Sequence, residues 1–226
     1  MKPRLDEMTI ALRAAKEFPD GAVVNLGFGM PGLCSLAMPE GRRIIFHTEN
    51  GALGFGPVLT EDKRDQRDFC LINASGQFVS RQPGMSFFDH ATSFGMIRGG
   101  HIDITVLGAL QVSEAGDLAN WSAPGRSGGM GGAMDLVIGT RKTIVTMEHT
   151  TKDNKFKIVK ECTYPLTARG CVDLIVTDLA VIEVTGRGLV LKEYAPGWTP
   201  DEIQELTEPR LIMAEDRKEM ELYKRC

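Results

Sequence analysis

Five short apolar runs, at residues 22–26, 43–47, 102–107, 143–147 and 174–177, constrain the fold of this chain more than any other feature. Each is too short for a stable helix and rich in Val and Ile. Several are near-continuous rather than alternating in polarity, so both faces of the strand must be covered. That pattern predicts central strands of a mostly parallel sheet flanked by helices. At 226 residues the chain suits one α/β domain spanning residues 1–226, with no linker or repeat to divide it.

The segments between and after these runs fill in the architecture. Met8, Ala11, Leu12, Ala15 and Phe18 recur at spacings of three and four, the apolar stripe of an amphipathic helix, and Pro19-Asp20-Gly21 ends it. Residues 180–184 and 189–193 flank a Thr185-Gly186-Arg187-Gly188 turn and read as a C-terminal β-hairpin. Thr199-Pro200-Asp201-Glu202 then carries a helix start, with Thr as N-cap, Pro at the first helical position and Glu closing a capping box. Ile203 and Leu206 are expected to face the core. Residues 215–226, dense in both charges, are expected to be a solvated helix or frayed tail.

Composition removes several functions. With 26 Lys and Arg against 30 Asp and Glu the chain is mildly acidic, which excludes a basic nucleic-acid binder or a polybasic membrane module. The five cysteines, Cys34, Cys70, Cys162, Cys171 and Cys226, are odd in number and form no CxxC pair. They read as reduced thiols, without a disulfide framework or a zinc site. His90, His101 and His149 lack ligand spacing, so no metal is expected. Residues 21–39 carry no charge, but glycines and Pro31 and Pro39 break the stretch, so it reads as strand, loop and short helix rather than a membrane span. The opening residues mix both charges and have no apolar secretory core, and the expected location is cytoplasmic.

Glycine, at 25 residues, is well above the roughly 7 % of average proteins, and it gathers in three loops. The first, Asn25-Leu26-Gly27-Phe28-Gly29-Met30-Pro31-Gly32, formally contains GxGxxG. Pro31 inside the turn gives poor context for a dinucleotide site, and a tight strand-to-helix turn is the plainer reading. The second follows a strand directly: His47-Thr48-Glu49-Asn50-Gly51. Asn-Gly tolerates left-handed backbone, so the chain can turn and project Glu49 from a strand's carboxyl end, where α/β proteins place ligands. A loop or cap role for Glu49 is the alternative. The third, Ser127-Gly128-Gly129-Met130-Gly131-Gly132-Ala133, is either a flexible loop or a place where bare backbone meets an anion or oxyanion.

Taken in order, these segments resemble the β subunit of family I CoA-transferases of the 3-oxoacid type. The resemblance covers nearly the whole chain. It rests on Thr48-Glu49-Asn50-Gly51-Ala52-Leu53-Gly54, Met96-Ile97-Arg98-Gly99-Gly100-His101, Gly116-Asp117-Leu118-Ala119-Asn120-Trp121 and Gly129-Met130-Gly131-Gly132-Ala133-Met134-Asp135. It implies that Glu49 is the nucleophile, passing through a glutamyl-CoA thioester. Asn25, Gly132 and Ala133 would form the oxyanion and acyl surroundings, with Gly131 in place of one of the last pair if the loop shifts. It further implies no cofactor, coenzyme A being a substrate, and a separate α subunit of similar size in an αβ or α2β2 assembly.

Around that centre, strand alternation puts His47 on the same face as Glu49, as a structural residue before a general base. Trp121, Phe87 and Phe88 read as core or interface. Lys63, Arg64, Arg141 and Lys142 are available for the CoA phosphates, and the sequence does not choose among them. An acyl-CoA hydrolase or ring-opening enzyme on the same fold, and a non-catalytic subunit, are the rival readings. Acetoacetate, succinate, 3-oxoadipate, acetate and butyrate are acids that the resemblance admits.

Overall fold

The computed structural model describes residues 2–36 and 41–222. Pro39 and Cys226 lie outside the described residues. Strands β1 (Val23–Leu26), β2 (Ile45–Thr48), β3 (Ala52–Phe55), β4 (Ser86–Phe87) and β5 (Ile104–Gly108) come first. Short strands β6 (Gln111–Ser113), β7 (Leu118–Ala119), β8 (Ser122–Ala123) and β9 (Arg126–Ser127) follow, then β10 (Lys142–Met147) and β11 (Ile158–Val159). The chain closes with β12 (Leu174–Thr177), β13 (Ala180–Thr185), β14 (Gly188–Tyr194) and β15 (Ile212–Glu219). The helices are α1 (Glu7–Ala15), α2 (His90–Arg98), α3 (Ala133–Gly139) and α4 (Pro200–Glu205).

Ten strands form one sheet in the order β15-β14-β13-β12-β10-β5-β1-β2-β3-β4. The five expected apolar runs are its centre, and all of them run parallel. Alternate residues divide between two cores. Val24, Leu26, Phe46, Ile104, Val106, Ile144 and Val176 pack beneath α1. Leu107, Val145, Ile175 and Ile182 face the opposite side, with Ile97 of α2, Leu136 of α3 and Ile203 of α4. Coverage on both faces is why these strands lack polar alternation. Asn25 and His47 lie between residues of the first core, so they project to the second face, toward α2 and α3.

The hairpin of β13 and β14 is antiparallel, as expected. The capping box is also present: the Thr199 hydroxyl accepts from the Glu202 amide, and the Glu202 carboxylate accepts from the Thr199 amide at 2.8 Å. Ile203 is fully buried, and Leu206 is half-buried against the second core.

One expectation fails. Residues 215–219 are neither helix nor frayed tail but belong to β15, which pairs in parallel with β14. Their charges suit an exposed edge strand, where they discourage further pairing, and Lys192 meets Asp216 at 3.1 Å. Residues 223–226 lie outside the described residues. Cys34, Cys70, Cys162 and Cys171 are all free thiols. No helix among the described residues is long and apolar enough to cross a membrane.

Candidate active site

The site is assembled at the carboxyl ends of β1, β2 and β5. Strand β2 ends at Thr48, and a three-residue loop, Glu49-Asn50-Gly51, leads straight into antiparallel β3. Gly51 has φ +112°, and a side chain there would overlap the Phe88 carbonyl, so only glycine closes this turn. The turn is clamped on three sides. The Gly51 amide donates to the Thr48 carbonyl at 3.0 Å, and the Phe88 amide to the Gly51 carbonyl at 3.0 Å. Thr48 Oγ1 receives the Ala74 amide at 2.8 Å, while Asn50 Nδ2 donates to the Ile72 carbonyl at 2.8 Å. Glu49 therefore sits, half-buried, on a backbone that cannot swing.

Two of its neighbours come from elsewhere in the chain. Asn25 on β1, fully buried, donates from Nδ2 to Glu49 Oε2 at 3.2 Å and to His47 Nδ1 at 3.1 Å. Asn25 and His47 are register partners across β1 and β2, which is why their side chains meet. Gly132 comes from the third glycine loop: a Cβ there would lie 3.5 Å from Glu49 Cγ and 2.9 Å from the ring of Phe94 on α2. Bare backbone at Gly132 is thus what lets this loop pack on Phe94, which sets it within van der Waals reach of Glu49.

Glu49, Gly131, Gly132 and Ala133 line one cavity of about 620 Å³, closed further by Gly27, Gly108, Asn120 and Trp121. Trp121, expected in core or interface, is one of its walls, its indole N–H held by the Leu166 carbonyl at 3.3 Å. Gly131, with φ +56° and open space around it, turns the loop, and Gly132 makes the approach to Glu49. Helix α3 starts at Ala133, directly after this loop.

The first glycine loop takes the plainer of its two readings. Gly27 packs against Leu107 and the Val106 carbonyl of β5, and residues Met30–Leu36 continue as a 3-10 turn rather than the α-helix of a dinucleotide site.

Likeness to known proteins decides the family. The coenzyme A transferase family model matches residues 7–206. The chain belongs to the coenzyme A transferase family. Within it the chain is of the β-subunit type. It is 48 % identical to the beta subunit of the acetate CoA-transferase of Escherichia coli, covering 92 % of this chain and 94 % of that one. Against the matching subunit of the 3-oxoadipate CoA-transferase of Acinetobacter baylyi the identity is 45 %, over 93 % and 97 % of the two chains. A human mitochondrial succinyl-CoA:3-ketoacid coenzyme A transferase is 50 % identical over 88 % of this chain, which spans 38 % of that protein's length. Among solved structures, the acyl-CoA transferase YdiF of Escherichia coli O157:H7 superposes with a TM-score of 0.75 at 22 % identity; 98 % of this chain covers 44 % of that one. The AibA/AibB decarboxylase shares the fold at a TM-score of 0.71 and 18 % identity, so the fold alone does not choose the chemistry.

The basic residues of this coenzyme A transferase chain are less concentrated. Arg141 precedes β10 and Lys142 opens it, at the amino end of the sheet and opposite Glu49. They border a separate hollow of about 810 Å³ with Lys16, Glu17, Arg42 and Asp103. Their charges are matched there: Arg141 meets Asp103 at 3.3 Å and Lys142 meets Glu17 at 3.0 Å. Lys63 and Arg64 are exposed on a 3-10 turn, Glu61–Gln66. None of these four lines the Glu49 cavity. Sequence reasoning also missed Ser93 and Phe94, whose roles depend on α2 folding back over β2, which no local spacing announces. No group of three or more metal-binding side chains occurs among the described residues.

Proposed function

We propose that this chain, acting as one domain over residues 1–226, moves CoA between an acyl-CoA and a carboxylic acid through a covalent glutamyl-CoA thioester on Glu49. The observation that carries this reading is the Asn25 amide donating at 3.2 Å to a carboxylate held on a rigid turn in a glycine-lined cavity. Glu49 attacks the donor thioester carbonyl, the C–S bond breaks, and CoA thiolate leaves an acyl-glutamyl anhydride. The thiolate then adds to the Glu49 carbonyl and expels the donor acid, leaving the glutamyl-CoA thioester. The acceptor carboxylate reverses both steps. Each intermediate stays about as energetic as the thioester it replaces, which a serine ester would not.

In this reading the residues around Glu49 take distinct tasks. When thiolate attacks the glutamyl carbonyl, negative charge gathers on the Glu49 oxygen itself, and Asn25 already donates to that oxygen. Removing such a donor typically costs about 10²–10³ in kcat. The backbone of Gly131, Gly132 and Ala133 lines the same cavity as the carboxylate, and the acyl carbonyl is taken to bind there. No cofactor enters, and coenzyme A is consumed and returned as substrate.

The names of the relatives support an α-type partner chain, and we take the assembly to be αβ or α2β2 in the cytoplasm. The acids in those names, acetate, 3-oxoadipate and 3-oxo acids, support a small carboxylic acid acceptor and an acyl-CoA or succinyl-CoA donor. The test is isotopic. With an acceptor acid carrying ¹⁸O in its carboxylate, the complex with its α partner is expected to pass one label through Glu49 into the released donor acid. Label arriving from ¹⁸O-water, with CoA released in the absence of any acceptor, would replace the transferase reading with a hydrolase.

A further inference from the structure

We infer that His47 is a positioning residue for this reaction: through a directed hydrogen-bond chain from Ser93, it holds the Asn25 amide so that N–H, and not C=O, faces Glu49. The inference rests on the reading of Glu49 as nucleophile. An asparagine amide is nearly symmetric in shape, and its two orientations here have opposite effects. One offers a donor to the carboxylate, while the other presents a carbonyl oxygen that repels it. Something must choose between them.

The chain of contacts makes that choice. Its far end is the Thr48 carbonyl, which can only accept, and the Ser93 hydroxyl lies 3.5 Å from it. With the Ser93 proton directed there, Ser93 Oγ is left to accept from His47 Nε2, 3.1 Å away. His47 Nε2 is then the protonated nitrogen, and Nδ1 carries a lone pair facing Asn25 Nδ2 at 3.1 Å. An acceptor at Nδ1 is compatible only with the NH2 end of Asn25, whose second N–H reaches Glu49 Oε2. Burial keeps the ring neutral by pushing the His47 pKa down to about 4, so Nδ1 remains an acceptor at neutral pH.

The remaining oxygen, Asn25 Oδ1, is buried without a hydrogen-bond partner. Leaving it so is unfavourable, and a network selected only for stability would be expected to satisfy it. The Phe88 ring lies nearly parallel to the imidazole, with ring centroids 6.0 Å apart, and borders the plane in which these bonds lie. His47 itself makes no proton transfer in this scheme.

The test is a double-mutant cycle on the complex with its α partner, reading kcat and KM. His47→Leu is expected to lower kcat about tenfold to hundredfold, the usual scale for a residue that orients a reacting group, with KM changed less than about twofold. His47→Gln, which offers one acceptor and one donor, restores most of that loss. Ser93→Ala, which frees the tautomer without touching Asn25, lowers kcat a fewfold. In an Asn25→Ala background, His47→Leu costs nothing further. Equal losses in both backgrounds, or wild-type kcat in folded His47→Leu, would overturn the proposal. If His47→Leu does not fold, the Gln and Ser93→Ala variants decide it by the same readout, and an unchanged kcat in Ser93→Ala then counts against it. Glu49→Ala measured alongside separates the two levels. If its turnover survives, the nucleophile reading fails; if it is dead while the His47 cycle is additive, only the positioning role fails.

Discussion

Two histidines, His47 and His149, are fully buried at the carboxyl ends of parallel strands, and their surroundings differ in one respect. His149, just beyond β10, gives one ring nitrogen to Thr177 Oγ1 and the other to Thr207 Oγ1, each at 2.9 Å, while its amide donates to Asp178. Asp178 in turn pairs with Arg4 at 3.0 Å. That network ends on itself and ties the N-terminal segment, β12 and the turn after α4 into one corner. The His47 network leads instead to a half-buried carboxylate and leaves Asn25 Oδ1 unpartnered. A closed polar network reads as cohesion. One that opens onto a carboxylate, with an oxygen left over, reads as chemistry.

The contrast between the two networks can be broken most sharply at Glu49. Glu49→Ala is expected to lower transfer activity by at least about 10⁴-fold, the scale of losing one member of a covalent machinery. Its unfolding free energy should stay within about 1 kcal/mol of wild type, because the side chain is half-buried and Asn25 Nδ2, which donates to it, keeps His47 Nδ1 as a partner. Steady-state assays and urea unfolding on the same preparation check both halves.

His149→Ala should do the opposite. Losing a buried side chain with two ring hydrogen bonds is expected to destabilise the chain by about 3 kcal/mol, with kcat of the folded fraction unchanged. A large fall in kcat at undiminished stability would erase the distinction between the two histidines.

A smaller effect sharpens what the two share. Burial lowers His47 to about 4 and His149 to about 3. As pH falls below the unfolded value near 6.5, the unfolded chain takes up these protons first, so stability is lost on acidification and levels off only near the folded values. Each histidine contributes a slope of up to about 1.4 kcal/mol per pH unit in that window. Urea midpoints at pH 7 and pH 5 should show the loss, and His149→Gln should remove its share of the slope.

Much of the fold was legible because burial on two faces writes itself locally. Residues 143–147 and 174–177 could hardly be anything but central strands, and Thr199 with Glu202 spelled a capping box. Glu49 was legible for a related reason: an apolar strand running into Glu-Asn-Gly leaves the carboxylate at a strand end with a turn behind it. Residues 215–219 were misread because an edge strand with mixed charges has the same composition as a solvated helix, and only its pairing with β14 separates them. The excursion between β3 and β4 carries isolated bridges such as Val58 with Val79 and Ile72 with Phe78, too brief for any period. The partners that complete the site were the least visible. Ser93 meets His47, and Gly132 meets Glu49, only after α2 and α3 have packed on the sheet, contacts that no spacing along the chain encodes.

The central claim is that the Glu49 carboxylate becomes covalently attached to CoA. The complex with its α partner, incubated with an acyl-CoA in the absence of acceptor acid, quenched in acid and digested, should yield a peptide containing Glu49 that carries CoA as a thioester, and the adduct should vanish when acceptor is added. Continued CoA transfer with that peptide unmodified, or with the adduct on another residue, would contradict the account.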